Sequence, residues 1–167
     1  MPMRSNGSVY VAVVLAALLG YFGYQWWFNP ARAVKQRLGQ VAGALSVPVD
    51  EPGAARVARL ARLRGYLADE LRIRAGAEEI TSRDKAVGAA AAWKPPPGSG
   101  DVHFADVQVF IESETSAHAY LAVELTHLDK PGGQPTVDSR DASVSLAKRN
   151  TEWVITGAEL KEMPAVR

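Results

Sequence analysis

The chain has 167 residues, with 19 Lys and Arg against 18 Asp and Glu, three His and no Cys. All but one of the basic residues and all of the acidic ones follow Pro30, so the bulk of the chain is balanced in charge and lacks the basic excess that nucleic-acid binding needs. The lack of Cys excludes a disulfide framework, a thiolate metal site and a thiol nucleophile.

After a short tail, residues 1–8, Val9 to Phe28 form a run without a formal charge. At a helical rise of about 1.5 Å per residue it reaches roughly 30 Å, the thickness of a bilayer's hydrocarbon core. Tyr21, Tyr24, Trp26 and Trp27 crowd its C-terminal end, the place where amphipathic rings anchor at the headgroups. A cleaved signal would have an apolar region of about 7–15 residues followed by small residues. Here the run ends in Trp26-Trp27-Phe28-Asn29-Pro30, so it reads as a retained transmembrane helix with the lipid bilayer as partner. Gly20 and Gly23 are three apart, not the four of the close-packing helix motif. Counting Lys and Arg, with Arg4 on one flank and Arg32, Lys35 and Arg37 on the other, puts the following domain inside. A short tail, one anchor and a folded domain is, against that, a common bacterial export layout. The Ala- and Arg-rich composition has a bacterial look. The expectation is a single-pass bacterial inner-membrane protein with its domain on the periplasmic side.

Residues 31–46 carry Val34, Leu38, Val41 and Leu45 at helical spacing. A loop with Pro48 and Pro52 follows, then a second helix from about Gly53 to Ala68. Its apolar face is expected to hold Val57, Leu60, Leu63 and Leu67, with Arg59 and Arg62 lying away from it. Leu71 to Arg74 reads as one short edge strand, and Ala75 to Ile80 as a turn with a second short strand. Ser82 is placed to cap a third helix, Arg83 to Trp93, with Asp84 at its positive end. Lys94 to Gly100, rich in Pro and Gly, ends it. From Asp101 the period is two. Val107, Val109 and Ile111 alternate with polar residues, and so do Ala119, Leu121, Val123 and Leu125, giving a hairpin. A strand from Val137 to Arg149 buries Ala142, Val144 and Leu146. Asn150-Thr151 turns it into the last strand, Glu152 to Lys161. The fold class is therefore α+β, with three helices on one side of a mainly antiparallel sheet.

This order of elements resembles the nuclear transport factor 2-like (NTF2-like, SnoaL-like) cone, over residues 31–163, leaving 164–167 as a tail. Ile80-Thr81-Ser82-Arg83-Asp84-Lys85-Ala86-Val87 is similar to the entry into the third helix of such domains, with Ser82 where Gly is usual. Val102 to Val109 resembles their first long strand, and Glu152-Trp153-Val154-Ile155 their closing one. The resemblance implies a sheet curled around the helices, often with a pocket in the cone. Some members are isomerases, hydrolases or cyclases, others bind proteins or dimerise, and a similar fold behind one anchor occurs in type IV secretion machines. A fold with so many uses does not choose a function.

Proton-transferring members use an Asp base and a Tyr or Asp donor inside the cone. Tyr66, Asp69 and Trp93 are the candidate pocket residues here, and none matches a catalytic motif. Tyr120, opposite in parity to Leu121, Val123 and Leu125, is expected to face outward. His103 and His127 share the apolar parity of their strands and His118 has the other, so the three histidines do not form a metal site. No glycine-rich phosphate loop opens a helix, and no cofactor is implied. Arg83 and Asp84 read as a local structural pair. Residues 31–74 carry nine basic and four acidic residues, a basic excess read as a solvated helix face or as attraction to anionic lipid. The function expected is a non-catalytic interaction, accessory or assembly subunit of a bacterial membrane complex, bound to a membrane protein or to itself. The alternative is a tethered small-molecule binder or isomerase- or hydrolase-type enzyme using the cone.

Overall fold

The computed structural model describes residues 7–95, 100–130 and 132–161, without the side chains of residues 7–9 and Trp27. The tails and most of the Pro- and Gly-rich linker at 94–100 lie outside the described residues. The chain divides into two compact units, residues 1–30 and 31–167. The first holds helix α1 (Gly7–Trp27), whose described side chains from Tyr10 to Trp26 are all exposed. A helix apolar on every side has no stripe to bury against a core. It is long and apolar enough to cross a membrane. Near its end Gln25 donates to the Tyr21 hydroxyl at 3.0 Å, satisfying the one amide side chain in the run.

The second unit is α+β. Helices α2 (Pro30–Leu45), α3 (Gly53–Tyr66) and α4 (Arg83–Ala92) accompany strands β1 (Leu67–Ala75), β2 (Glu78–Ile80), β3 (Gly100–Ile111), β4 (Ser116–Leu128), β5 (Pro135–Arg149) and β6 (Glu152–Leu160). They form one sheet in the order β2-β1-β6-β5-β4-β3. All neighbours are antiparallel except β1 and β6, which run parallel. Strand β1 is thus interior and nine residues long, not the short edge strand its alternating fragment suggested. The sheet gains its local pairing partner, β2, at one edge and its distant partner, β6, from the end of the chain.

The helix α2 buries Val34, Leu38, Val41, Ala42 and Ala44, as its spacing predicts. Helix α3 departs from expectation. Val57 is 69% exposed, while Arg59 and Leu63, one turn apart, are buried. The inward stripe is therefore rotated toward Arg59. A buried guanidinium needs partners for its donors. Arg59 has them: its Nε and Nη2 donate to the Glu51 carboxylate at 2.7 and 3.1 Å, and its Nη1 to the Ala44 carbonyl at 2.9 Å. One side chain thereby joins the last turn of α2, the proline loop and α3. Helix α4 begins as read, with the Ser82 hydroxyl accepting from the Lys85 amide at 3.3 Å.

Register shifts interrupt the β1–β6, β3–β4 and β5–β6 ladders. Such bulges bend a strand and raise its twist, which lets a sheet curl. The shift in β3 falls between Ala105 and Gln108, with Asp106 in the left-handed region at φ 50°. It reverses parity. Phe104 joins the core side before the bulge, and Val107 and Val109 join it after. His103 therefore loses the apolar parity read for it and stands exposed opposite Glu124.

Candidate functional site

The inner side of the curled sheet and helices α2, α3 and α4 enclose a cavity of about 230 Å³. Its lining side chains among the described residues are all apolar. Leu63, Leu67, Leu121, Ala142, Val144 and Ile155 are its buried walls. Leu45, Ile73, Ile80, Phe104, Val123 and Leu160 also line it and are only half-buried, marking its open end. Phe104 reaches this wall because of the bulge at Asp106.

The three pocket candidates are not among this cavity's lining residues. Tyr66 is half-buried with the Arg37 guanidinium 4.7 Å from its ring centre, and Arg37 also pairs with Glu152 at 3.4 Å. Asp69 is exposed and pairs with Arg83. Asp84 pairs instead with Arg64 at 2.5 Å, so Arg83 and Asp84 bind two other elements and not each other. Trp93 lies against the start of β3, where a Cβ at Gly100 would stand 2.7 Å from its Cη2. Only glycine allows that approach, and Gly100 uses it to bond Val47 in both directions, at 2.7 and 3.0 Å. All three are thus held by structural contacts.

The outer side of the sheet is different. Phe110 and Tyr120 are 52% and 47% exposed, with ring centres 5.8 Å apart and edge-to-face. His118 packs against Tyr120 at 4.8 Å, and its Nδ1 is 3.3 Å from the Ser145 hydroxyl. Tyr120 faces outward, as its parity requires. Beside this cluster the small residues Ser143, Ser145 and Gly157 floor a shallow groove whose far wall is Arg72 and Arg74. The sequence signal for this surface was the odd aromatic residues on the polar parity of β3 and β4.

His127 is partly buried, with Nε2 3.2 Å from Asp129 and Nδ1 3.9 Å from Asp138. His103, His118 and His127 do not converge, and among the described residues no group of His, Asp and Glu could hold a metal ion. Two carboxyl groups titrate below the usual carboxylate range: Glu51, mainly because Arg59 donates to it, and Glu70, through its own backbone amide and Arg149 at 2.6 Å. Neither touches the cavity.

No family model matches the sequence, and no curated protein matches it. Solved structures do. An NTF2-like protein of unknown function from Shewanella oneidensis superposes with a TM-score of 0.56 at 14% identity, over 80% of this chain and 99% of that one. The association domain of CaMKII from C. elegans gives 0.58 at 11% identity, over 80% and 93%. A protein of unknown function from Mycobacterium tuberculosis gives 0.66 at 13% identity, over 84% and 79%. At such identities the likeness defines the fold: this is an NTF2-like α+β cone, following an apolar helix long enough to span a membrane.

Proposed function

We propose that the chain is a single-pass membrane protein whose NTF2-like domain is a non-catalytic interaction subunit of a bacterial membrane complex, docking through the outer side of the sheet. The observation that carries this reading is the exposed Phe110–Tyr120–His118 cluster beside Arg72 and Arg74. Aromatic and Arg side chains dominate the energetics of protein interfaces. The cavity supports the same reading from the other direction, since its apolar walls offer no acid, base or nucleophile. In this reading α1 lies in the inner membrane with Tyr21, Tyr24, Trp26 and Trp27 at one headgroup layer, the domain is periplasmic, and the partner is a membrane protein or a second copy. One likeness points the same way, since the C. elegans structure is that of an association domain.

The test is affinity purification of the full chain from native membranes in mild detergent, followed by sizing. A partner at fixed stoichiometry is expected, and it is lost with Phe110→Lys or Tyr120→Lys while the core variant Ala142→Leu retains it. Retention of the partner by both surface variants refutes the docking face.

A further inference from the structure

We propose that the cone cavity is a binding site for one unbranched aliphatic chain bearing an anionic head, such as a medium-chain carboxylate. The inference goes beyond the interaction role and does not depend on the outer face. The walls exclude most other ligands. A polar molecule would leave its hydrogen-bonding groups unpaired against Leu, Ile, Val, Phe and Ala side chains. An alkyl chain has none to lose. The size is also suitable. A dry apolar cavity of about 150 Å³ admits the six carbons of benzene, so a cavity of about 230 Å³ takes on the order of eight.

The open end says where the head goes. Its half-buried lining residues, Phe104, Val123 and Leu160 among them, are apolar, so a polar head remains in water at the mouth. Arg140 is not a lining residue but neighbours one in the sheet. It pairs directly with Val123 and precedes the lining residue Ala142 by two, which puts it on the inner side of the sheet. It is exposed and has no ion-pair partner among the described residues. The carboxylate beyond it on that side, Asp138, is the one approached by His127. A guanidinium next to the lining of an apolar cavity suits a carboxylate or phosphate on the end of an alkyl chain.

The test uses the full chain in dioleoylphosphatidylcholine vesicles with decanoate carrying a terminal diazirine. After illumination the label is mapped by peptide, and label on residues 121–123 and 158–160 is divided by label on α1. Cavity peptides are expected to be labelled, and a tenfold excess of plain decanoate to reduce the ratio several-fold. Ala142→Phe, which fills the cavity, should reduce it at least tenfold, and Ala158→Leu serves if that variant does not fold by near-ultraviolet circular dichroism. Arg140→Gln should weaken competition by decanoate several-fold and leave competition by decanol unchanged. A parallel arm with the diazirine on the acyl chain of a lysophosphatidic acid, one chain with an anionic phosphate head, separates the sources: labelling there assigns the site to membrane lipid, and labelling only by decanoate to a free acid. Unlabelled cavity peptides in both arms, or a ratio unchanged by the filling substitutions, overturns the proposal.

Discussion

Replacing Ala142 by Leu probes the free space in the cone. Ala142 is 4% exposed, lines the cavity and faces Leu121 across the β4–β5 ladder. The substitution adds three carbons to a space of about 230 Å³, so they enter without displacing a neighbour. At about 0.8 kcal/mol per buried methylene the transfer contributes about 2.4 kcal/mol. Ordering the Leu side chain costs about 0.5–1 kcal/mol, leaving a net gain of about 1.5 kcal/mol. For a domain of this size that raises Tm by about 5 °C. Ala119 is the control. It stands on the same side of the sheet, opposite Val109 on one strand and Val144 on the other, is fully buried and does not line the cavity. Ala119→Leu has no space to enter and should destabilise by about 1–3 kcal/mol. The assay is thermal unfolding of the full chain followed by near-ultraviolet circular dichroism, for which buried Trp153 supplies a core signal. The same substitution at two neighbouring places should move Tm in opposite directions. If Ala142→Leu lowers Tm as far as Ala119→Leu does, the cone is filled and the reasoning about its ligand fails with it.

Three further substitutions probe other parts of the fold. Asn150 and Thr151 form the β5–β6 turn at φ 47° and 71°, and a β-branched residue is poorly suited to that region. Thr151→Gly should therefore stabilise by about 0.5–1 kcal/mol in urea titration, since the relief of about 1–2 kcal/mol of left-handed strain exceeds the entropy glycine adds to the unfolded chain. At Ser82, alanine should cost about 1 kcal/mol and glycine only a few tenths, because the cap bond to the Lys85 amide is replaced by solvation of the open helix end in the glycine variant. Arg59→Met should destabilise at neutral pH and flatten the acid limb of the stability profile. Glu51 has a lowered pKa in the folded state, so its contribution is complete above its ordinary value of about 4.5 and is lost as pH falls through the depressed value. Urea midpoints measured below pH 4.5 should thus fall more steeply in the parent chain than in the Arg59 variant, while Glu70 titrates alike in both.

The difference between what the residues disclosed and what they concealed lies in the range of the forces involved. Helix α2, the Ser82 cap, the Asn150-Thr151 turn and the alternation of β4 and β5 rest on local period, capping and turn chemistry, and each was legible. Three features were not. The inward turn of α3 depends on Glu51 being brought beneath it by the proline loop, and no local rule ranks Arg59 above Val57 for burial. The parity of β3 depends on one left-handed residue, Asp106, and an alternation counted through a bulge assigns every residue before it to the wrong side. That single error hid Phe104 from the cavity wall and gave His103 an apolar side it does not have. The interior position of β1 depends on a parallel partner some eighty residues away, which no pattern within Leu67–Ala75 encodes. The candidate site depends on the same long range. Tyr66, Asp69 and Trp93 stand out in the sequence by their chemistry, and the contacts that hold them, to Arg37, Arg83 and Gly100, all come from other elements. Among the described residues, what lines the cone after those polar groups are engaged elsewhere is a wholly aliphatic and aromatic wall. The absence of chemistry at that wall is therefore a consequence of how the helices are fastened to the sheet, and it makes an alkyl chain the ligand class the cavity suits.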